Sequence, residues 1–210
     1  MSNVLYIKAS PRTGRSHSVA VADAFVESYC QAHPEDKIKT IDIFERPLPA
    51  FDLPAVTAKY KIMHGTEHSQ EDQRIWSQVI SIIEEFKSAD KYVMAVPMWN
   101  FSIPYRLKQY VDILVQPGYT FSVNEGGNYE GLVKDKPVFI AYARGGEYPA
   151  GTGKEAFDLQ KKYLELMLGF MGFRDIRSVT VEPTLAGGAD VAKQKRTAAI
   201  EEARKMAKEF

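Results

Sequence analysis

The chain is short of several things that would have set its class at once. It has a single cysteine, Cys30, in 210 residues, so no intramolecular disulfide can form. Cys30 falls on the apolar side of an expected helix, which predicts a packed thiol rather than a reactive one. No apolar run approaches the ~20 residues that span a bilayer, and the N-terminus has no long apolar core of a leader peptide. The expectation is therefore a cytoplasmic protein without a membrane partner. Charge of one sign is also missing: 27 basic residues balance 27 acidic ones, and the basic surplus expected of a nucleic-acid binder is absent. There is no internal repeat and no low-complexity segment. Hydrophobic residues at 45% and charged residues at 26% exclude a disordered chain and leave a globular one.

What is present is an alternation of short apolar runs and amphipathic stretches. Strands are expected at 3–8, 37–43, 91–97, 137–143 and 175–182. The first, third and fourth read as nearly continuous apolar runs, the pattern of strands buried on both faces. The second and fifth alternate more and read as edges. Helices are expected at 17–33, 69–88, 104–115, 154–171 and 189–208. Ser69 with Asp72 three residues on resembles a capping box at the start of the second. Strands alternating with helices predict an α/β fold, a doubly wound parallel sheet of five strands in the order 2-1-3-4-5, with helices on both faces and one domain over residues 1–210. In such sheets ligands bind beyond the C-terminal strand ends, at the switch point. Residues 44–68 and 116–135 read as two long connections, the second with Gly126-Gly127 as a turn.

Three segments follow the ends of the first, third and fourth strands, and the topology brings them to one rim. The first carries the hydroxyls of Ser10, Ser16 and Ser18 beside His17, with Arg12 and Arg15 near. A hydroxyl-rich loop running into a helix start suits an anion, although Ser16 could equally do no more than cap the helix. The loop lacks the glycine spacing and lysine of a nucleoside-triphosphate loop. The second segment, Met98-Trp99-Asn100-Phe101 after Pro97, offers flat aromatic surface around an amide, or ordinary core. The third, Ala143-Arg144-Gly145-Gly146, allows close backbone approach and an anion nest, or a plain tight turn. Two motif matches are set aside. Gly151-Thr152-Gly153 does not follow a strand, and His64…Glu67-His68 is interrupted by Gly65, so no metal site is expected.

Taken together, Ser10…Ser16-His17-Ser18, Pro97 to Phe101 with Ser102-Ile103-Pro104, and Arg144-Gly145-Gly146 resemble the FMN-dependent NADH-azoreductases, which also act as NADH:quinone oxidoreductases. Gly118 to Phe121 and Leu168 to Gly172 extend the resemblance over nearly the whole chain. It implies a flavodoxin-like homodimer with FMN bound non-covalently near the subunit interface, NADH as electron donor, and quinones or azo compounds as acceptors. It implies that Ser10, Ser16, His17 and Ser18 hold the phosphate. Met98, Trp99, Asn100 and Phe101 would line the ring system, Ala143, Arg144, Gly145 and Gly146 its other edge, and Phe121 and Phe170 the substrate space. No protein side chain need act as a nucleophile, and one site serving donor and acceptor in turn implies ping-pong kinetics. Position 143 is Ala where many members have Ser, and position 99 is Trp where many have Tyr. An electron carrier of flavodoxin type, or a reductase releasing its flavin, is the alternative.

Overall fold

The computed structural model describes residues 1–210, apart from the side chain of Thr13. Seven strands form, β1 (Asn3–Lys8), β2 (Lys37–Asp42), β3 (Lys91–Pro97), β4 (Phe121–Val123), β5 (Tyr129–Gly131), β6 (Val138–Ala143) and β7 (Ile176–Val181). Five of them make a parallel sheet in the order β2-β1-β3-β6-β7, which is 2-1-3-4-5 among the main strands, as the pattern predicted. The expected edge strands are the edges. β6 is buried along its whole length, as its unbroken apolar run requires.

The six helices are α1 (His17–Ala32), α2 (Leu53–Met63), α3 (Gln70–Lys87), α4 (Tyr105–Leu114), α5 (Leu159–Met171) and α6 (Gly188–Ala207). Alternation along each strand sends odd and even residues to opposite cores. Val4, Tyr6, Phe139 and Ala141 pack with α1 and α6, where Phe25 stacks on Phe139 at 3.9 Å between ring centres. Leu5, Ile7, Ile140 and Tyr142 pack with α2 to α5 around Trp76 and Phe86. The capping box at Ser69 and Asp72 forms in full.

Four expectations need correcting. The connection 44–68 contains α2, started by Asp52 and carrying Pro54 in its first turn, where a missing N–H is tolerated. Its buried residues are only Ala55 and Ala58, too small a stripe to stand out as a period. The connection 116–135 folds into the hairpin β4–β5, closed around Gly127 at φ +78°. The helix expected from 154 starts at Leu159, after a separate turn, because Asp158 caps it by accepting from Lys161 N at 3.0 Å. Phe157, inside that expected helix, lies in the separate turn and is 53% exposed. Cys30 is half-buried rather than packed away.

Candidate functional site at the sheet rim

The C-terminal ends of β1, β3 and β6 lie side by side, and the register pairs Pro97 with Ala143. Met98 N donates to Ala143 O at 2.8 Å, so the second and third segments start in contact.

In the first segment Ser16 caps α1, its Oγ accepting from Val19 N at 3.4 Å. Ser16 Oγ also lies 3.2 Å from Ser18 Oγ. Intrahelical bonding begins with Ala20 N to Ser16 O, so the first-turn N–H groups of His17 and Ser18 have no helical carbonyl of their own. Ser10, Ser16 and Ser18 are all buried. His17 Nδ1 is buried and, among the described residues, has no partner. Loss of hydration pushes the His17 pKa down, and the cations Arg196 and Arg12 push it further the same way. The His17 ring, the hydroxyls of Ser16 and Ser18 and the free N–H groups, beside two guanidinium groups, make a site suited to an anion.

In the second segment Trp99 and Ser102 exchange backbone hydrogen bonds of 2.9 and 3.0 Å across Asn100 and Phe101. Both central residues have positive φ, +47° and +68°. Asn tolerates this region. Phe does not, and such strain costs about 1–3 kcal/mol. Leu159 N donates to Phe101 O at 3.0 Å and helps hold the turn. The tight turn sends the two rings apart. Trp99 meets Phe44 and Tyr105 at 5.6 and 6.2 Å, and Phe101 meets Phe157 and Tyr148 at 5.3 and 6.4 Å. A cavity of about 400 Å³ opens beside this turn, lined by Trp99, Asn100, Ile103, Tyr105 and Tyr163 among others.

In the third segment the glycine turn is held from behind. Arg144 N donates to Val181 O, and Gly145 O accepts from Leu185 and Ala186 N. Among the described residues the N–H groups of Gly145 and Gly146 have no backbone acceptor. The Arg144 side chain points inward, 4% exposed, into a cluster of Asp158, Gln160 and Glu182. Its position at the rim was legible in the sequence. Its partners were not, because they lie 14 to 38 residues away.

Phe121 and Phe170 do come together, 4.7 Å apart, and Tyr129 joins them at 5.9 and 5.2 Å. They do not reach this rim. Phe170 is eleven residues along α5 from Leu159, about 16 Å at 1.5 Å per residue, and Leu159 is the residue that touches Phe101.

The architecture and the rim site define the class. The family model of the flavodoxin-like fold matches residues 2–207. The FMN-dependent NADH:quinone oxidoreductase of Nitratidesulfovibrio vulgaris (strain DP4) is 59% identical over 100% of both chains. Among solved structures, an azoreductase from Bacillus anthracis str. Sterne superimposes with a TM-score of 0.91 at 32% identity, covering 100% of both chains. An FMN-dependent NADH-azoreductase from Bacillus anthracis str. Ames Ancestor, crystallised with FMN, gives 0.84 at 30% identity over 99% of this chain and 100% of that one. The chain belongs to the flavodoxin-like family and, within it, to the FMN-dependent NADH:quinone oxidoreductases. No helix among the described residues is long and apolar enough to cross a membrane.

Proposed function

We propose that this rim holds FMN, and that the chain is one domain over residues 1–210 working as a cytoplasmic homodimer that oxidises NADH and reduces quinones or azo compounds. The observation that carries the reading is the anion seat at the start of α1, with its buried unpaired His17 Nδ1, sharing a rim with a strained aromatic turn and a glycine turn. The residues fit the group. Ser10, Ser16, His17 and Ser18 would bind its phosphate. Met98, Trp99, Asn100 and Phe101 would lie along its ring, and the Gly145 and Gly146 N–H groups would face the ring edge where negative charge develops. Ala143 would contribute backbone only. Bound FMN supplies the chemistry, accepting hydride from NADH and passing two electrons to the second substrate.

Purified protein is expected to be yellow and to release FMN on denaturation. It should oxidise NADH faster when a quinone or an azo dye is added. A colourless protein that neither binds added FMN nor gains activity from it would overturn the reading.

The homodimer supplies what one copy lacks. Leu159, Tyr163, Leu166 and Phe170 recur at helical spacing along α5, with Leu159 52% and Leu166 67% exposed. Tyr163 and Phe170 are half-buried between and beyond these two leucines, and an exposed apolar stripe of this kind suits a contact with a second copy. A second copy seated on it would bring its own Phe121 and Phe170 to the first copy's rim. Burying Leu166 twice about a two-fold axis contributes roughly 3 kcal/mol or more. Leu166→Glu is therefore expected to yield a monomer by sedimentation that still binds FMN but turns over at least about tenfold more slowly. A fully active monomer would disprove the shared site.

A further inference from the structure

The resemblance sets Arg144 along the other edge of the ring. Its side chain is spent elsewhere. Arg144 Nε donates to Gln160 Oε1 at 2.9 Å, Nη2 to Asp158 Oδ2 at 2.8 Å and Nη1 to Glu182 Oε2 at 3.3 Å. Gln160, fully buried, turns its amide the other way and donates Nε2–H to Val96 O at 2.9 Å. Val96 lies two residues before Met98. Asp158 uses its second oxygen to cap α5, and the next residue, Leu159, donates to Phe101 O. One guanidinium thus ties together the end of β6, the start of α5, the end of β3 and the residue after β7. It stands between two carboxylates, so the cluster offers no surplus positive charge to a ligand.

We infer that Arg144 and Gln160 are positioning residues: the buried Arg144–Gln160–Asp158 cluster locks the Met98–Phe101 turn and the Ala143–Gly146 turn into one rigid ring-facing wall. This rests on the FMN reading above. The two turns are separate in sequence, and each alone is a short loop. Val96 O and Phe101 O are both held from the α5 start, and Gly145 follows Arg144 directly. A change in the cluster therefore moves both walls together. A shift of about 1 Å in such a wall is enough to slow transfer by up to a hundredfold, even when the ligand stays bound.

The test uses two substitutions that leave the formal charge of the cluster unchanged, Gln160→Met and Arg144→Lys. Wild-type protein is titrated first with FMN; failure to bind there would sink the FMN reading and not this one. Each variant is then measured below its melting temperature for FMN affinity, for the visible circular dichroism of the bound flavin, and for kcat and KM with NADH. Both are expected to keep FMN affinity within about tenfold, because the phosphate seat at Ser16 to Ser18 is untouched. Both should show an altered flavin dichroism and a kcat at least about tenfold lower with little change in KM. Arg144→Met should add no large further loss in kcat, since the charge is not directed at the ring. Two results would overturn the inference. One is a Gln160→Met or Arg144→Lys protein with wild-type dichroism and kcat, whatever its melting temperature. The other is an Arg144→Lys protein that behaves as wild type while Arg144→Met alone loses activity, because that pattern assigns the effect to charge. If Gln160→Met does not fold, Arg144→Lys with Arg144→Met decides between the same two outcomes.

Discussion

Gly131→Ala is expected to melt roughly 5–10 °C below the wild type. A Cβ built at Gly131 would sit 2.3 Å from Gly172 N, 2.4 Å from Gly172 Cα and 2.4 Å from Met171 C. All three are backbone atoms, so no flexible side chain can give way. Gly172 is itself fixed, as the left-handed cap of α5 at φ +117°. Relief comes only by lifting the β4–β5 hairpin off the end of α5, against the Val133 N to Met171 O bond of 2.8 Å. Overpacking of this kind costs about 3 kcal/mol or more. The hairpin carries Phe121 and Tyr129, and α5 carries Phe170, so the same shift breaks up the aromatic cluster. FMN affinity should hold within about threefold, since the phosphate seat is at the start of α1, while quinone turnover falls. Gly169→Ala is the control of opposite sign. Its Cβ meets nothing within 4 Å and it stands inside α5, so the variant should gain up to about 1 kcal/mol. Calorimetry of both proteins checks the pair; equal melting temperatures would remove the close approach as a constraint.

Gly131 shows where sequence reading stopped. Its residue type suggested only a loop, because the atom it must avoid lies 41 residues away in another element. The same holds for Arg144, whose partners Asp158, Gln160 and Glu182 belong to a helix start and a strand end that meet only once the sheet is built. α2 was missed for a local reason, since Ala55 and Ala58 bury too little apolar surface to mark a period. What the sequence did carry was the sheet. Nearly continuous apolar runs at Asn3–Lys8, Lys91–Pro97 and Val138–Ala143 read as central strands, and right-handed crossovers leave few topologies, of which the order 2-1-3-4-5 fits. The three rim segments follow from that order alone, which is why Ser10 to Ser18, Met98 to Phe101 and Ala143 to Gly146 were legible as neighbours. The strain at Phe101 was not, because a turn with two positive φ angles ordinarily announces itself by glycine.

Ser18→Asp is expected to lose FMN almost completely while keeping its fold. Ser18 is fully buried in the first turn of α1, with its hydroxyl 3.2 Å from that of Ser16. A carboxylate in a first helical turn is favourable in itself, since the N–H groups there carry the positive end of the helix dipole. The variant carboxylate therefore satisfies the same donors that the phosphate would use, and adds like charge at about 4 Å from it. At an effective dielectric of about 20 that repulsion is on the order of 4 kcal/mol per unit charge, near a thousandfold in affinity. Riboflavin, which has the ring but no phosphate, should bind wild type and variant alike. Ser18→Ala, which removes one hydroxyl and adds no charge, should weaken FMN by about 10- to 100-fold, the range for a hydrogen bond to a charged group. Fluorescence titrations with both flavins, alongside a thermal melt, separate the cases. An equal loss for FMN and riboflavin would mean a damaged fold. Undiminished FMN binding by the Asp variant would move the phosphate away from the start of α1, and with it the assignment of the whole rim.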